Sequence, residues 1–110
     1  MLNSNNSEDN IFINARRLMQ KGEYSASIIS AFSELEYRLA LKNSVMNTSK
    51  GKNTFLIFRY LREQYETMYD INELISVRNK IVHENYAANA KEAAKYFNMI
   101  EEINKKECLS

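Results

Sequence analysis

The feature that most limits how this chain can fold is its scarcity of residues that break regular backbone structure. Its 110 residues include no proline and only two glycines, Gly22 and Gly51. Proline and glycine are the strongest local interrupters of helices and strands. Because they are so rare here, and because Lys, Glu, Ala, Leu and Ile are frequent, long helices are favoured. The sequence therefore predicts an all-α protein.

Apolar residues recur at helical spacing in five stretches. The predicted helices run over about 8–21, 23–43, 54–68, 70–85 and 89–107. Ser7 is a candidate N-cap of the first helix, and Gly22 is its candidate C-terminal stop. The connections near residues 22 and 69 are so short that the helices flanking them are expected to be antiparallel neighbours. We therefore expect an antiparallel bundle of four to five helices. A change of apolar phase over Glu84 to Ala88 is expected to bend or break the fourth helix there.

The same pattern predicts the domain organisation. Residues 1–7 are rich in Asn and Ser and are expected to be a disordered start, whereas residues 8–107 are expected to form one helical domain. The polar residues from 43 to 54 predict a loop inside that domain rather than a linker between domains, since they are too few to separate two folded units.

Helix faces and helix caps can also be predicted. The inner face of the second helix is expected to include Ala26 and Ile29, and that of the third helix Phe55 and Met68. Two helix starts have the spacing of a capping box, in which a cap side chain and a glutamate three residues later satisfy each other's backbone N–H groups. These pairs are Asp70 with Glu73 and Asn89 with Glu92.

Composition restricts the cellular setting. Fifteen basic and fourteen acidic residues give a formal net charge of +1, which is low for a general nucleic-acid binder. No apolar run approaches the ~18 residues that a membrane span needs, and the first ten residues lack the features of a signal peptide. Cys108 is the only cysteine, so one chain cannot form a disulfide. We expect a cytoplasmic protein with no membrane partner.

The candidate site residues are Arg78, Asn79 and His83 in the fourth predicted helix. Histidine titrates near neutral pH and is the commonest general acid or base. Arginine keeps its charge and offers a fork of donors that matches a phosphate. Both are needed when the 2′-hydroxyl of RNA attacks the neighbouring phosphorus. No metal or other cofactor is expected, because one histidine and one cysteine cannot supply a zinc site.

Helix geometry complicates this assignment. Residues five apart lie about 140° around a helix axis from each other, whereas Asn79 and His83, four apart, share a face. Arg78 must therefore reach around the helix, the helix must distort, or two chains must bring their motifs together across a two-fold axis. The alternative is that Arg78 and His83 are ordinary polar side chains on the helix surface.

Arg78-Asn79-x-x-x-His83 resembles the signature of the HEPN superfamily, in which an arginine is followed by four to six residues and then a histidine. A polar residue, often Asn, follows the arginine in many members. The resemblance extends beyond the motif. The segment from Lys21 to Leu39 is similar to the first helical hairpin of these domains, and the alanine-rich last helix, 87–103, comes in the expected order. The resemblance covers most of the chain, from about residue 11 to residue 103.

This resemblance implies a helical bundle that dimerises and a composite, metal-independent endoribonuclease site. His83 would be the acid or base, Arg78 would hold the scissile phosphate, and Asn79 would orient the phosphate or His83. Many such domains belong to prokaryotic or phage-related defence and toxin–antitoxin systems, which makes an antitoxin or a defence complex a candidate partner.

Other interpretations stay open. One is a non-catalytic HEPN-type module for dimerisation, nucleotide binding or protein interaction, and another is a helical adaptor that docks a protein on its first hairpin. The chain also departs from one branch of the family. HEPN toxins that are paired with a nucleotidyltransferase antitoxin carry a tyrosine two positions after the histidine, whereas this chain has Asn85 there and a tyrosine, Tyr86, one position later.

Basic residues suggest where RNA would bind. The stretch from Tyr37 to Arg62 contains six cations and no acid, and such a block can follow a phosphate backbone. The alternative is that these are solvated surface charges. The predicted RNA-binding residues are Lys50, Lys52, Arg59, Arg62 and Lys80.

Overall fold

The computed structural model describes residues 11–43 and 53–107 of the chain. Those residues form five α-helices and no strand, which confirms the predicted all-α bundle. The helices are α1 Ile13–Gln20, α2 Tyr24–Lys42, α3 Asn53–Tyr65, α4 Ile71–Glu84 and α5 Ala90–Lys106. The predicted disordered start at 1–7, the N-cap Ser7 and most of the predicted 43–54 loop lie outside the described residues. None of the five described helices combines the length and apolarity that would let it cross a membrane.

Helix α2 lies at the centre of the bundle and packs against each of the other four helices. Its buried face repeats at helical spacing. It consists of Ser27, Ile28, Ala31, Phe32, Leu35, Leu39 and Ala40. The predicted inner face was wrong in part, because Ala26 is exposed and Ile29 only half-buried. Contact with four neighbours buries a wider arc of α2 than one amphipathic stripe predicts.

Helix α1 ends where Gly22 was predicted to stop it. Gly22 has a φ of +81°, the left-handed conformation that closes many helices. Its N–H donates to the Met19 carbonyl at 3.0 Å, and the Glu23 N–H donates to the Leu18 carbonyl at 2.9 Å. This pair of bonds is a Schellman motif. It turns the chain directly into α2, whose buried Ser27 hydroxyl donates to the Ala15 carbonyl of α1 at 3.0 Å.

Helix α3 shows a second correction to the predicted faces. Its buried residues are Ile57, Leu61 and Tyr65, whereas Phe55 is 63% exposed and Met68 is 54% exposed. The predicted stripe failed at both ends. Phe55 lies about 200° around the axis from Ile57, and Met68 comes after the helix has ended at Tyr65.

The two predicted capping boxes had different outcomes. On α5 the box is confirmed, since the Glu92 N–H donates to Asn89 Oδ1 at 2.8 Å and the Asn89 N–H donates to Glu92 Oε1 at 3.0 Å. On α4 the prediction was wrong, because Asp70 makes no side-chain capping bond. The Glu73 carboxylate instead accepts a hydrogen bond from Lys95 of α5. A contact between helices thus replaces the local one.

The chain breaks after Glu84, as its change of apolar phase predicted. Asn85 takes a left-handed conformation with a φ of +55° and ends α4. The next segment is fastened to the start of α2, since the Ser25 hydroxyl donates to the Tyr86 carbonyl at 2.9 Å and accepts from the Ala88 N–H at 2.7 Å. These bonds hold the end of α4, and with it the backbone that carries His83.

We predict that Gly22→Ala lowers the free energy of unfolding by about 1–2 kcal/mol, because a Cβ disfavours the left-handed conformation. No atom lies within 4 Å of the position that this Cβ would occupy, so the loss is a backbone effect and not a clash. Urea denaturation measures it. Gly22→Asn is the matched control and should lose less, since Asn tolerates this conformation. Equal losses in the two variants would contradict the explanation.

Candidate functional site

Arg78 is half-buried and lies against two aromatic rings. Its guanidinium carbon is 5.9 Å from the centroid of the Phe32 ring on α2 and 5.5 Å from that of Phe58 on α3. The two rings pack edge to face with centroids 5.8 Å apart. A guanidinium over an aromatic face is held by cation–π attraction and can still donate hydrogen bonds from its edge. The core of the bundle therefore sets the orientation of this charge.

Asn79 is bound to Arg78. Arg78 Nη1 donates to Asn79 Oδ1 at 2.9 Å. The amide is therefore a direct partner of the arginine, and its own N–H₂ group donates to no residue in the described ranges. The Nε and Nη2 atoms of Arg78 form no hydrogen bond with residues 11–43 or 53–107. Arg78 and Asn79 thus form a fixed unit with unused donors.

His83 is exposed in the last turn of α4. Its imidazole has neither a hydrogen bond nor an ion pair with the described part of the chain. Helix α4 runs without interruption from Ile71 to Glu84, so His83 lies about 140° around the axis from Arg78 and about 7.5 Å further along it. The helix does not distort to join the two side chains.

One side of α4 is polar along its whole length. Positions four, three and four residues apart fall close together on a helix. This stripe consists of Asn72, Ser76, Asn79 and His83. The stripe places His83 beside Asn79, while the core contacts draw Arg78 towards α2 and α3. Within one chain, the structure brings Arg78 into contact with Asn79. No nitrogen of the Arg78 guanidinium forms a hydrogen bond with His83.

A cavity of about 380 Å³ lies between α3 and α4. Helix α3 contributes Arg62 to its lining, and α4 contributes the other lining residues. The complete lining is Arg62, Asn72, Ile75, Ser76, Asn79, Lys80 and Glu84. Arg62 Nε donates to Asn72 Oδ1 at 2.9 Å, which joins the two walls. Two predicted RNA-binding cations, Arg62 and Lys80, therefore share one cavity with Asn79.

The other predicted RNA-binding residues are not gathered there. Arg59 is exposed on α3 and lies 4.0 Å from the Glu63 carboxylate in a loose pair. Lys50 and Lys52 lie outside the described residues. Two cations of the acid-free stretch form ion pairs in the folded protein. Arg38 pairs with Glu34 at 3.0 Å, and Lys42 pairs with Glu107 at 2.7 Å. Glu34, one turn before Arg38 on α2, and Glu107 at the end of α5 therefore neutralise part of this basic stretch.

A buried carboxylate, Glu107, forms a cluster that no sequence pattern indicated. It is only 5% exposed at the end of α5. Lys42 Nζ of α2 donates to its Oε1 at 2.7 Å, the Tyr60 hydroxyl of α3 donates to its Oε2 at 2.9 Å, and the Tyr65 hydroxyl also donates to it. Three helices meet at this carboxylate. Its partners are 42 to 65 residues distant in sequence, so no local spacing could have pointed to them.

The electrostatics of this Glu107 cluster are those of a structural ion pair. Burial and the hydrogen bond to Glu107 raise the pKa of Tyr60 to about 12, and burial raises the pKa of Tyr65 as well. Burial also works to raise the pKa of Glu107, but hydrogen bonds from Lys42, Tyr65 and Tyr60 outweigh it, and that pKa is lowered. Near neutral pH the carboxylate is therefore charged and both phenols are protonated.

The described residues contain no cluster of three or more His, Cys, Asp or Glu side chains that could hold a metal ion. Comparisons of the chain with protein-family models, curated proteins and solved structures give no significant match.

We predict that Glu107→Gln lowers the free energy of unfolding at pH 7 by about 1–3 kcal/mol, since it weakens hydrogen bonds to a buried charged group. Because folding lowers the Glu107 pKa, its contribution is fully present above the ordinary glutamate pKa of about 4.3 and is lost as the pH falls through the lower folded value. Wild type should lose this increment on acidification, and the variant should not.

Denaturation in urea at pH 7 and in the acid range measures this difference. Glu63→Gln is the matched control, because its carboxylate is exposed and only loosely paired; its effect should stay within about 0.5 kcal/mol. If the difference in free energy of unfolding between wild type and Glu107→Gln is the same at both pH values, the assigned ionisation of Glu107 is contradicted.

Proposed function

We propose that this protein is a metal-independent endoribonuclease of the HEPN type, with a site composed across a homodimer. The observation that best supports the proposal is that one helix carries both a fixed Arg78–Asn79 unit and an exposed His83 that has no partner among the described residues. A phosphate-binding cation needs a set orientation, whereas a general base needs an accessible nitrogen. The two parts of the motif meet these different requirements.

The proposed reaction is an internal transfer at phosphorus. His83 takes the proton of the 2′-hydroxyl, the 2′-oxygen forms a bond to the adjacent phosphorus, and the bond from phosphorus to the 5′-oxygen breaks. The leaving 5′-oxygen gains a proton from solvent water. The products are a 2′,3′-cyclic phosphate and a 5′-hydroxyl. Arg78 stabilises the extra negative charge on the phosphoryl oxygens, and Asn79 holds Arg78 in place.

The geometry of α4 is the reason for proposing a site shared by two chains. Arg78 and His83 of one chain point about 140° apart, so one phosphate cannot easily contact both. A two-fold axis that runs beside the polar stripe of α4 would place the His83 of one protomer opposite the Arg78 of its partner. Each composite site then contains a cation and a base from different chains.

The proposed setting comes from the resemblance to the HEPN superfamily. It is the cytoplasm of a prokaryote, in a cellular or phage-related defence or toxin–antitoxin system. An antitoxin or another component of a defence complex would then regulate the nuclease. Asn85 and Tyr86 argue against the branch in which an antitoxin modifies a tyrosine two positions after the histidine.

One observation favours a second function, a non-catalytic HEPN-type module that dimerises, binds a nucleotide or binds a protein. The charge of Arg78 lies over Phe32 and Phe58, at 5.9 and 5.5 Å. Such packing can be the whole role of an arginine, since its long side chain covers apolar surface while its charge attracts the rings. In this function, His83→Ala would leave binding and assembly unchanged, and the wild type would cut no RNA.

We expect purified wild-type protein to cleave RNA in EDTA and to leave 2′,3′-cyclic phosphate ends. His83→Ala should reduce the rate by about 10²–10⁴-fold, the usual contribution of a general acid or base. Gel analysis of labelled RNA and of its end groups measures both effects. Lys91→Ala is the matched control, because Lys91 is an exposed residue of α5 outside the proposed site.

Circular dichroism and size-exclusion chromatography establish that the variants keep their fold and assembly. A strict requirement for Mg²⁺ would contradict the proposed chemistry. Equal cleavage by wild type and His83→Ala would also contradict it, and would point to a contaminating nuclease.

A further inference from the structure

The cavity between α3 and α4 has a polar lining. Small-molecule pockets are lined mostly by apolar and aromatic side chains. Here six of the seven described lining residues are polar or charged, Ile75 is the exception, and none of the seven is aromatic. The volume of about 380 Å³ falls in the usual range for a small ligand. A ligand of this cavity would be recognised by charge and hydrogen bonding, and not by stacking.

Two cations in the cavity keep donors available. Arg62 Nε is bound to Asn72, which fixes the guanidinium, but neither Nη atom has a partner in the described ranges 11–43 and 53–107. The Lys80 ammonium lies 5.7 Å from the centroid of the Tyr86 ring and forms no ion pair with a described residue. Because a fixed guanidinium and a neighbouring ammonium together supply donors for the oxygens of a phosphate diester, the cavity favours that group.

One carboxylate, Glu84, also lines the cavity. Lys80 and Glu84 are four residues apart, a spacing that often gives an ion pair on a helix surface. The described residues show no such pair, and the Glu84 carboxylate has no hydrogen-bond donor among them. A carboxylate repels a bare phosphate. The ligand therefore needs a donor group close to its phosphate, and the ribose 2′-hydroxyl of RNA is such a group.

We propose that this cavity binds one ribonucleotide of a single-stranded RNA through its sugar and phosphate. Arg62 and Lys80 bind the phosphate, and Glu84 accepts a hydrogen bond from the 2′-hydroxyl. The inference rests on the proposed function, since RNA is the substrate there, and it assigns the nucleotide that flanks the cleaved bond. Asn79 links the two sites, because it lines the cavity and also binds Arg78. Since none of the seven lining residues has a ring to stack on a base, binding should tolerate any base.

Fluorescence anisotropy with a labelled single-stranded RNA of about eight nucleotides tests the proposal. His83→Ala serves as the parent, so that bound RNA is not cut. Adding Arg62→Ala to this parent should weaken binding about tenfold and reduce the slope of log affinity against log salt by about one. Lys80→Gln should act in the same direction, so the test does not depend on the folding of one variant.

Arg17→Ala is the matched control, since it removes an exposed arginine from α1, a helix that adds no residue to the cavity. It should change affinity less than twofold. Losses of the same size for Arg17→Ala and Arg62→Ala would indicate diffuse charge attraction and overturn the assignment. An absence of any RNA binding by the parent would overturn it as well.

DNA of the same sequence tests the role of Glu84. RNA should bind several-fold more tightly than DNA. Glu84→Ala removes both the repelling charge and the acceptor, so it should bind both more tightly while losing most of that preference. Equal affinity for RNA and DNA in the parent would overturn the sugar contact. If the wild-type protein cleaves RNA but Arg62→Ala does not change RNA affinity, the cavity site is refuted and the proposed nuclease function is not. Binding that depends on Arg62, in a protein that cuts no RNA, would refute the nuclease and leave the cavity site standing.

Discussion

Burial of α2 on several sides is the constraint on which the rest of the structure depends. Four helices pack against it, so its core face is wide and each neighbour is positioned relative to one central helix. Phe32 on α2 is 1% exposed and also supports the guanidinium of Arg78. The same side chain therefore belongs to the core and to the candidate site. Packing of the core and orientation of the Arg78 guanidinium cannot be separated in this bundle.

Local features of the fold could be predicted from the sequence because their causes are local. Gly22 closes α1 through its own backbone conformation, and the Asn89–Glu92 box needs only residues three apart. The exceptions came from contacts between distant segments. Glu73 was expected to cap α4, but Lys95 of another helix is its partner.

The candidate site divides in the same way. The motif and its place on one amphipathic helix were predictable from residue types and spacing, and Arg62 and Lys80 were predicted as RNA-binding cations. The aromatic support of Arg78 and the cavity that joins Lys80 to Arg62 depend on how α3 and α4 pack. The cluster around Glu107 gave no local signal at all, because its three donors come from α2 and α3.

The central claim is that Arg78 and His83 act together from different chains, and complementation between inactive variants tests it most directly. The Arg78→Ala and His83→Ala proteins are purified separately, and each is expected to be inactive alone. They are then mixed in equal amounts under conditions that exchange protomers, and the mixture is assayed for RNA cleavage in EDTA. A mixed dimer keeps one intact pair, so the mixture should recover about a quarter of wild-type activity. A mixture that exchanges protomers but stays as inactive as its components would contradict a site shared between chains.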